Sequence, residues 1–95
     1  MRLTQAQQQS IRNATHQNFG ENSKVWLFGS RVDDSRRGGD VDLYIETTPL
    51  SNMIPVLRCK ISIEDALDLH VDLIVNDQAG NQPIYQIAKQ QGIQL

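Results

Sequence analysis

Two aspartates, Asp40 and Asp42, stand two residues apart immediately before an apolar run at residues 43–45. Such a run is typical of a β-strand, and alternate residues of a strand point to the same face. Their Cα atoms would then lie roughly 6.6 Å apart, close enough for both carboxylates to reach one divalent cation. The pair therefore predicts a metal site, although acids also decorate many exposed strand ends.

A second feature, Gly29 followed by Ser30, comes directly after the apolar run at residues 25–28. A glycine at a strand end lets a phosphate approach the backbone, and a helical turn from Ser30 would direct amide N–H groups and a hydroxyl toward it. Arg31 could bind the same phosphate or pair with an acid such as Asp40, since arginine serves both purposes. The pattern predicts that a phosphate and a metal meet between two strands, whereas the plainest reading of Gly-Ser alone is a turn.

A third acid, Asp72, interrupts the apolar pattern of residues 70–75. Because an unpaired buried charge is costly, we expect Asp72 either to act in a site or to have a partner on a helix or loop. His70 beside it is interpreted as an ordinary polar residue. Arg36 and Arg37 lie in a glycine-flanked loop and could close over a triphosphate, or serve only as surface residues.

The order strand, Gly29-Ser30, basic loop, Asp40-x-Asp42, strand resembles the nucleotidyltransferase superfamily that includes DNA polymerase β and the kanamycin nucleotidyltransferases. The small size and the Gly-Ser-Arg form are most similar to the minimal nucleotidyltransferase (MNT) proteins, which are commonly paired with HEPN-domain partners. The resemblance implies that Gly29 and Ser30 hold the triphosphate of ATP and that Asp40 and Asp42 bind two Mg²⁺ ions. It also implies a third acid on a later strand, for which Asp72 is the candidate.

Length and composition predict one domain spanning residues 1–95. The apolar content of 39% and the net charge of −2 are those of an ordinary globular domain and give no sign of a nucleic-acid-binding surface. No apolar run of membrane-spanning length or signal peptide is present, so we expect a cytoplasmic protein that does not enter membranes. The single cysteine, Cys59, agrees with a reducing compartment.

The elements that must position these residues follow from periodicity and from turn and capping residues. Thr4 and Gln7 form a capping-box pattern, and Asn81 is expected to cap a last helix that has Pro83 in its first turn. The predicted elements are a helix over residues 5–18, strands over 24–28, 41–46 and 70–75, a helix that starts close to Pro55, a helix that ends at Gly92, and a weakly supported edge strand over 93–95. The fold class is α/β (α+β), with a three- to four-stranded mixed sheet packed against helices and a parallel pair joined through the second helix.

The resemblance implies Mg²⁺-dependent transfer of AMP from ATP to a hydroxyl of a HEPN toxin, which would silence the toxin. A different hypothesis is a non-catalytic antitoxin that neutralises its partner by binding, although the intact acids argue against complete loss of chemistry. A third is an aminoglycoside-type adenylyltransferase, but 95 residues leave no room for the extra domain that would hold the sugar. The oligomeric state, whether with copies of itself or with the partner, stays open.

Overall fold

A computed structural model describes residues 3–28, 40–78, 80 and 82–95, with Asp40 described by its backbone alone. Within these residues the chain alternates between helices and strands nearly as predicted, and most element ends lie within one residue of the expected positions. The elements are α1 (Gln5–Phe19), β1 (Lys24–Phe28), β2 (Asp40–Glu46), α2 (Ile54–Leu67), β3 (His70–Asn76), α3 (Pro83–Gln91) and β4 (Ile93–Gln94).

The four described strands form one mixed sheet in the order β3-β2-β1-β4. β1 is antiparallel to β2 and to β4, whereas β2 and β3 are parallel and are connected through α2. The mixed sheet, its parallel pair and the weakly supported edge strand are thereby confirmed. β3 lies at one edge of this sheet, so the residues of β3 have a strand neighbour on one side only.

One face of the sheet is closed by α1 and α2 over an apolar core. Because strand residues alternate in direction, the odd-numbered residues of β1, β2 and β3 point to this face. The buried residues of this core are Leu3, Ile11, Ala14, Val25, Leu27, Val41, Leu43, Ile45, Cys59, Ile63, Leu67 and Val71. Burial raises the pKa of the Cys59 thiol to about 11, against the opposing effect of its hydrogen bond with Thr15. Cys59 therefore acts as a core residue.

The opposite face of the sheet is covered by α3. Trp26, Tyr44 and Ala88 form a small buried cluster there, with Ile74 and Tyr85 packed against it. The Tyr44 ring lies 5.4 Å from that of Trp26 and 5.6 Å from that of Tyr85, measured between ring centroids. Trp26 and Tyr44 therefore occupy buried strand positions on this face.

The helix ends include one confirmed capping box and one left-handed turn. The capping box between Thr4 and Gln7 is formed at the start of α1. The N-cap of α3 is Gln82, which makes no side-chain cap hydrogen bond. Asn81, predicted to cap this helix, lies outside the described residues. The C-cap of α2, Asp68, has the left-handed backbone conformation (φ 54°) and turns the chain directly into β3. None of the helices in the described part of the chain is long and apolar enough to cross a lipid bilayer.

Candidate active site

Asp42 and Asp72 lie opposite each other in the register of the parallel strands β2 and β3. Parallel neighbours in register point to the same face, and adjacent strands lie about 4.8 Å apart. Tyr44 and Ile74, the next residues on this face along the two strands, pack in the cluster covered by α3. The two carboxylates therefore lie side by side on the α3 face of the sheet, next along the strands from Tyr44 and Ile74.

This row of the sheet continues on β1, where Phe28 lies opposite Asp42. Phe28 is the residue that immediately precedes Gly29 in the chain. Asp42 and Phe28 are half-buried, whereas the Asp72 side chain is 55% exposed. The row thus runs from an apolar side chain through two acids to the solvent at the edge of the sheet.

The other predicted site residues lie partly or wholly outside the described part of the chain. Asp40 is the first residue of β2 and lies opposite His70 in the register, but only its backbone is described. Gly29, Ser30 and Arg31, with Arg36 and Arg37, lie outside the described residues. The structure thus brings two of the three predicted acids together and leaves the phosphate-binding prediction as a prediction.

A histidine and a glutamate join the acidic row from the side of α2. The Nε2 atom of His70 lies 3.3 Å from Oδ1 of Asp72, and its Nδ1 atom lies 3.2 Å from Oε2 of Glu64. The same Glu64 oxygen accepts a hydrogen bond from the backbone N–H of Val71 at 3.0 Å. Glu64 was missed in the sequence because it reaches His70 only through the turn at Asp68, which carries no local pattern. His70, interpreted as an ordinary polar residue, has a carboxylate at each ring nitrogen.

Carboxylate oxygens are the ligands that Mg²⁺ prefers in proteins, so the donor set of Asp42 and Asp72 fits that ion. Among the side chains that the structure describes, no group of three or more His, Cys, Asp or Glu residues is arranged to hold a metal. Glu64, His70 and Asp72 thus form a chain of contacts rather than a ligand shell. The side chain of the third predicted ligand, Asp40, lies outside the described part of the chain.

A cavity of about 280 Å³ lies elsewhere, at the far end of the sheet. It is lined by Lys24, Glu46, Thr47 and Gln78, among others. Glu46 is four residues along β2 from Asp42, at the opposite end of the strand from the acidic pair. The cavity is therefore separate from the candidate active site.

A comparison of the sequence with models of known protein families identifies the domain that contains Asp42 and Asp72. The family model described as polymerase beta, nucleotidyltransferase matches residues 9–95. The chain belongs to this nucleotidyltransferase family. The match spans every strand of the described sheet, so the family that Gly29-Ser30 and the Asp-x-Asp pair resemble is confirmed, together with its fold class.

Solved structures with the same fold come from toxin–antitoxin complexes. A chain from a mutant form of the toxin–antitoxin MntA–HpeT has a TM-score of 0.72 and 23% identity, with 93% of this chain and 69% of that chain covered. A chain from the tri-AMPylated Shewanella oneidensis HEPN toxin in complex with MNT antitoxin has a TM-score of 0.67 and 22% identity, with 93% and 70% covered. At these identities the likeness is one of fold. No curated protein matches the chain at a significant level.

Proposed function

We propose that this chain transfers AMP from ATP to a hydroxyl group of a HEPN-domain partner and acts as its antitoxin. The observation that carries the proposal is the register of Asp42 with Asp72, which sets two carboxylates side by side on one face of a nucleotidyltransferase fold. Neighbouring like charges repel each other, and a cation bound between the two carboxylates would relieve that repulsion. Magnesium and ATP are part of the proposal.

In this proposal Asp42 and Asp72 hold Mg²⁺, with Asp40 as the third ligand from the start of β2. When bound there, Mg²⁺ would supply charge stabilisation for the attacking and the leaving oxygen of an in-line displacement. Gly29 and Ser30 bind the triphosphate through backbone N–H groups and a hydroxyl, and Arg31 contacts a phosphate oxygen. Phe28 connects this segment to the row that contains Asp42.

The acceptor hydroxyl oxygen attacks the α-phosphorus of ATP and forms a new P–O bond. The bond from the α-phosphorus to the oxygen bridging the α- and β-phosphates breaks, and pyrophosphate leaves with that electron pair. The hydroxyl proton passes to a base, and Asp72 suits this task because its carboxylate is exposed and lies in the acidic row. The product is an AMP ester on the partner.

Two observations support a protein acceptor. A structure with the same fold contains an AMPylated HEPN toxin in complex with an MNT antitoxin. In addition, the outer side of α2 exposes Met53, Ile54, Leu57 and Ile61, each at 52% or more. Grouped apolar side chains of this kind mark protein-binding surfaces more often than sugar-binding ones. The same helix carries Glu64, so a partner docked on α2 would lie beside the acidic row.

This exposed side of α2 equally suits the second candidate, an antitoxin that neutralises its partner by binding alone. Docking through α2 needs no metal ligand, whereas transfer does. The preserved acidic pair favours transfer, because two adjacent carboxylates contribute nothing to docking through an apolar helix face.

The test combines the purified chain, its HEPN partner, ATP and Mg²⁺, and measures the partner by intact-protein and peptide mass spectrometry. We expect a mass increase of one or more AMP groups on hydroxyl side chains. Asp40→Asn and Asp72→Asn should prevent the increase and still form the complex, whereas Glu21→Gln, an exposed acid in the turn before β1, should behave like the wild type. An unmodified but neutralised partner in the wild-type complex would favour the binding antitoxin, and efficient modification of an aminoglycoside by the chain alone would favour the third hypothesis.

A further inference from the structure

Asp72 lies on the edge strand of the described sheet, so strand pairing supports it from one side only, where Asp42 is its neighbour. On an edge strand a half-exposed carboxylate has several side-chain orientations of similar energy. A metal ligand that must be ordered on binding loses affinity, because the entropy of that ordering opposes binding. Something must therefore orient Asp72 from its other side if it is to ligate well.

Contacts from α2 provide that support. Glu64 is only 27% exposed, and one of its oxygens, Oε2, faces both the Val71 N–H and the His70 Nδ1 atom. The Val71 hydrogen bond ties Glu64 to the backbone of β3 itself, so its position is set by the strand that carries Asp72. His70 in turn has its ring fixed at Nδ1 and directs Nε2 at Oδ1 of Asp72.

We propose that Glu64 and His70 are positioning residues that hold the Asp72 carboxylate in its metal-binding orientation, an inference that rests on the proposed function. His70 contacts Oδ1, and more than half of the Asp72 side chain faces solvent, so a cation can approach the carboxylate while the ring limits its rotation. Glu64 orients the His70 ring, and His70 orients the Asp72 carboxylate, as residues behind a metal ligand commonly do. It also gives α2 a role in the site.

The experiment measures Mn²⁺ binding to the full chain by electron paramagnetic resonance of the free ion, without ATP or partner. Outer-shell substitutions commonly weaken metal binding by about 10–100-fold, and we expect a loss in this range for Glu64→Ala and for His70→Ala. Glu64→Gln should recover much of the affinity, because its amide oxygen can still accept from the Val71 N–H and from His70 Nδ1. If Glu64→Ala does not fold, His70→Ala and Glu64→Gln still decide the question.

Asp65→Ala is the matched control, since Asp65 is the next residue on α2, is exposed, and carries the same charge. It removes one negative charge near the site without touching His70, and its Mn²⁺ affinity should stay within about twofold of the wild type because exposed charges are well screened. Melting temperatures of all variants separate loss of fold from loss of binding.

The outcomes distinguish this inference from the proposed function. Wild-type Mn²⁺ affinity in Glu64→Ala and His70→Ala, together with a loss in Asp72→Asn, would overturn the positioning role and leave the metal site intact. Wild-type affinity in Asp72→Asn would overturn both. A loss in Asp65→Ala as large as in Glu64→Ala would also overturn the positioning role, because general electrostatics would then explain the effect.

Discussion

Two acids on the same face of the same strand, Glu46 and Asp42, have opposite surroundings. Glu46 accepts a hydrogen bond from the Tyr44 hydroxyl at 2.8 Å and pairs with Lys89 of α3 at 3.1 Å. Its register neighbour on β3 is the neutral Asn76, which donates to the Tyr44 hydroxyl at 3.1 Å. Asp42, four residues earlier, has the acid Asp72 as its register neighbour.

The difference lies in what covers each end of the face. α3 packs over the Glu46 end, where its lysine neutralises the acid and also lies 5.2 Å from the Trp26 ring. At the Asp42 end the carboxylate beside it is 55% exposed. Glu46 lies under a helix and pairs with its lysine, whereas Asp42 has a second acid as its register neighbour, and closely placed acids of this kind are common in functional sites. Position on a strand thus says less about the role of an acid than its neighbours do.

The largest effect should come from exchanging these two acids for their amides. Asp42→Asn should reduce AMP transfer by on the order of 10²–10³-fold, because a ligand of the charge-stabilising cation is lost. The same substitution should leave stability equal or higher, since it relieves repulsion with Asp72. Glu46→Gln should do the reverse, with transfer retained and a stability loss of about 1 kcal/mol. Steady-state transfer rates and urea unfolding check both; a Glu46→Gln enzyme as inactive as Asp42→Asn would contradict the comparison.

Ligand-induced stabilisation should show the same contrast on a smaller scale. At a hundredfold excess over its Kd, Mg²⁺ with ATP stabilises the folded chain by about 2.7 kcal/mol, which corresponds to a rise in melting temperature on the order of 10 °C for a domain of this size. Differential scanning fluorimetry should show this rise in the wild type and in Glu46→Gln but not in Asp42→Asn. Equal rises in all three proteins would refute the assigned metal ligands.

The sequence predicts the elements better than it predicts their contacts. The apolar run at residues 25–28, with polar residues before it, predicts β1 at its observed bounds, and an edge strand is predicted after Gly92. The side-by-side position of Asp42 and Asp72 depends on the path of α2, which connects β2 to β3. That path is set by the packing of Cys59, Ile63 and Leu67 on the sheet. The contact between Glu64 and His70 depends on the left-handed turn at Asp68, and nothing in the residue type of Asp68 requires that turn.

Among the residues in contact around Glu46, which are Tyr44, Asn76 and Lys89, Tyr44 should contribute the most to stability. Tyr44→Phe removes the hydroxyl that joins Glu46 to Asn76, and the expected loss is about 1–2 kcal/mol because the Asn76 amide loses its acceptor. Burial raises the pKa of Tyr44 to about 12, with a further contribution from Glu46. The neutral phenol is therefore favoured by folding, so its stabilisation is complete below the usual pKa of 10.0 and is lost as the pH rises through about 12.

Unfolding in urea at several pH values tests this. The stability difference between the wild type and Tyr44→Phe should be constant from neutral pH to about pH 9 and should shrink above pH 10. AMP transfer at neutral pH should be unaffected, since the Tyr44 hydroxyl contacts Glu46 and Asn76 at the other end of the face. A difference that grows with pH would show that the phenolate, and not the phenol, is the form that the fold prefers.

The smallest effect should come from Lys89, although it makes two contacts. Its side chain is 45% exposed, so both its pairing with Glu46 and its approach to the Trp26 ring are screened by water, and Lys89→Met should cost at most about 1 kcal/mol. A double-mutant cycle with Glu46→Gln isolates the ion pair, and the coupling energy should fall as the salt concentration rises. Methionine keeps the apolar stem over Trp26, so the packing of α3 is preserved.

A coupling larger than the whole effect of Tyr44→Phe would mean that the Lys89–Glu46 pair, rather than the buried hydroxyl, holds α3 on the sheet. A change in AMP transfer would mean that the two ends of the face are not independent.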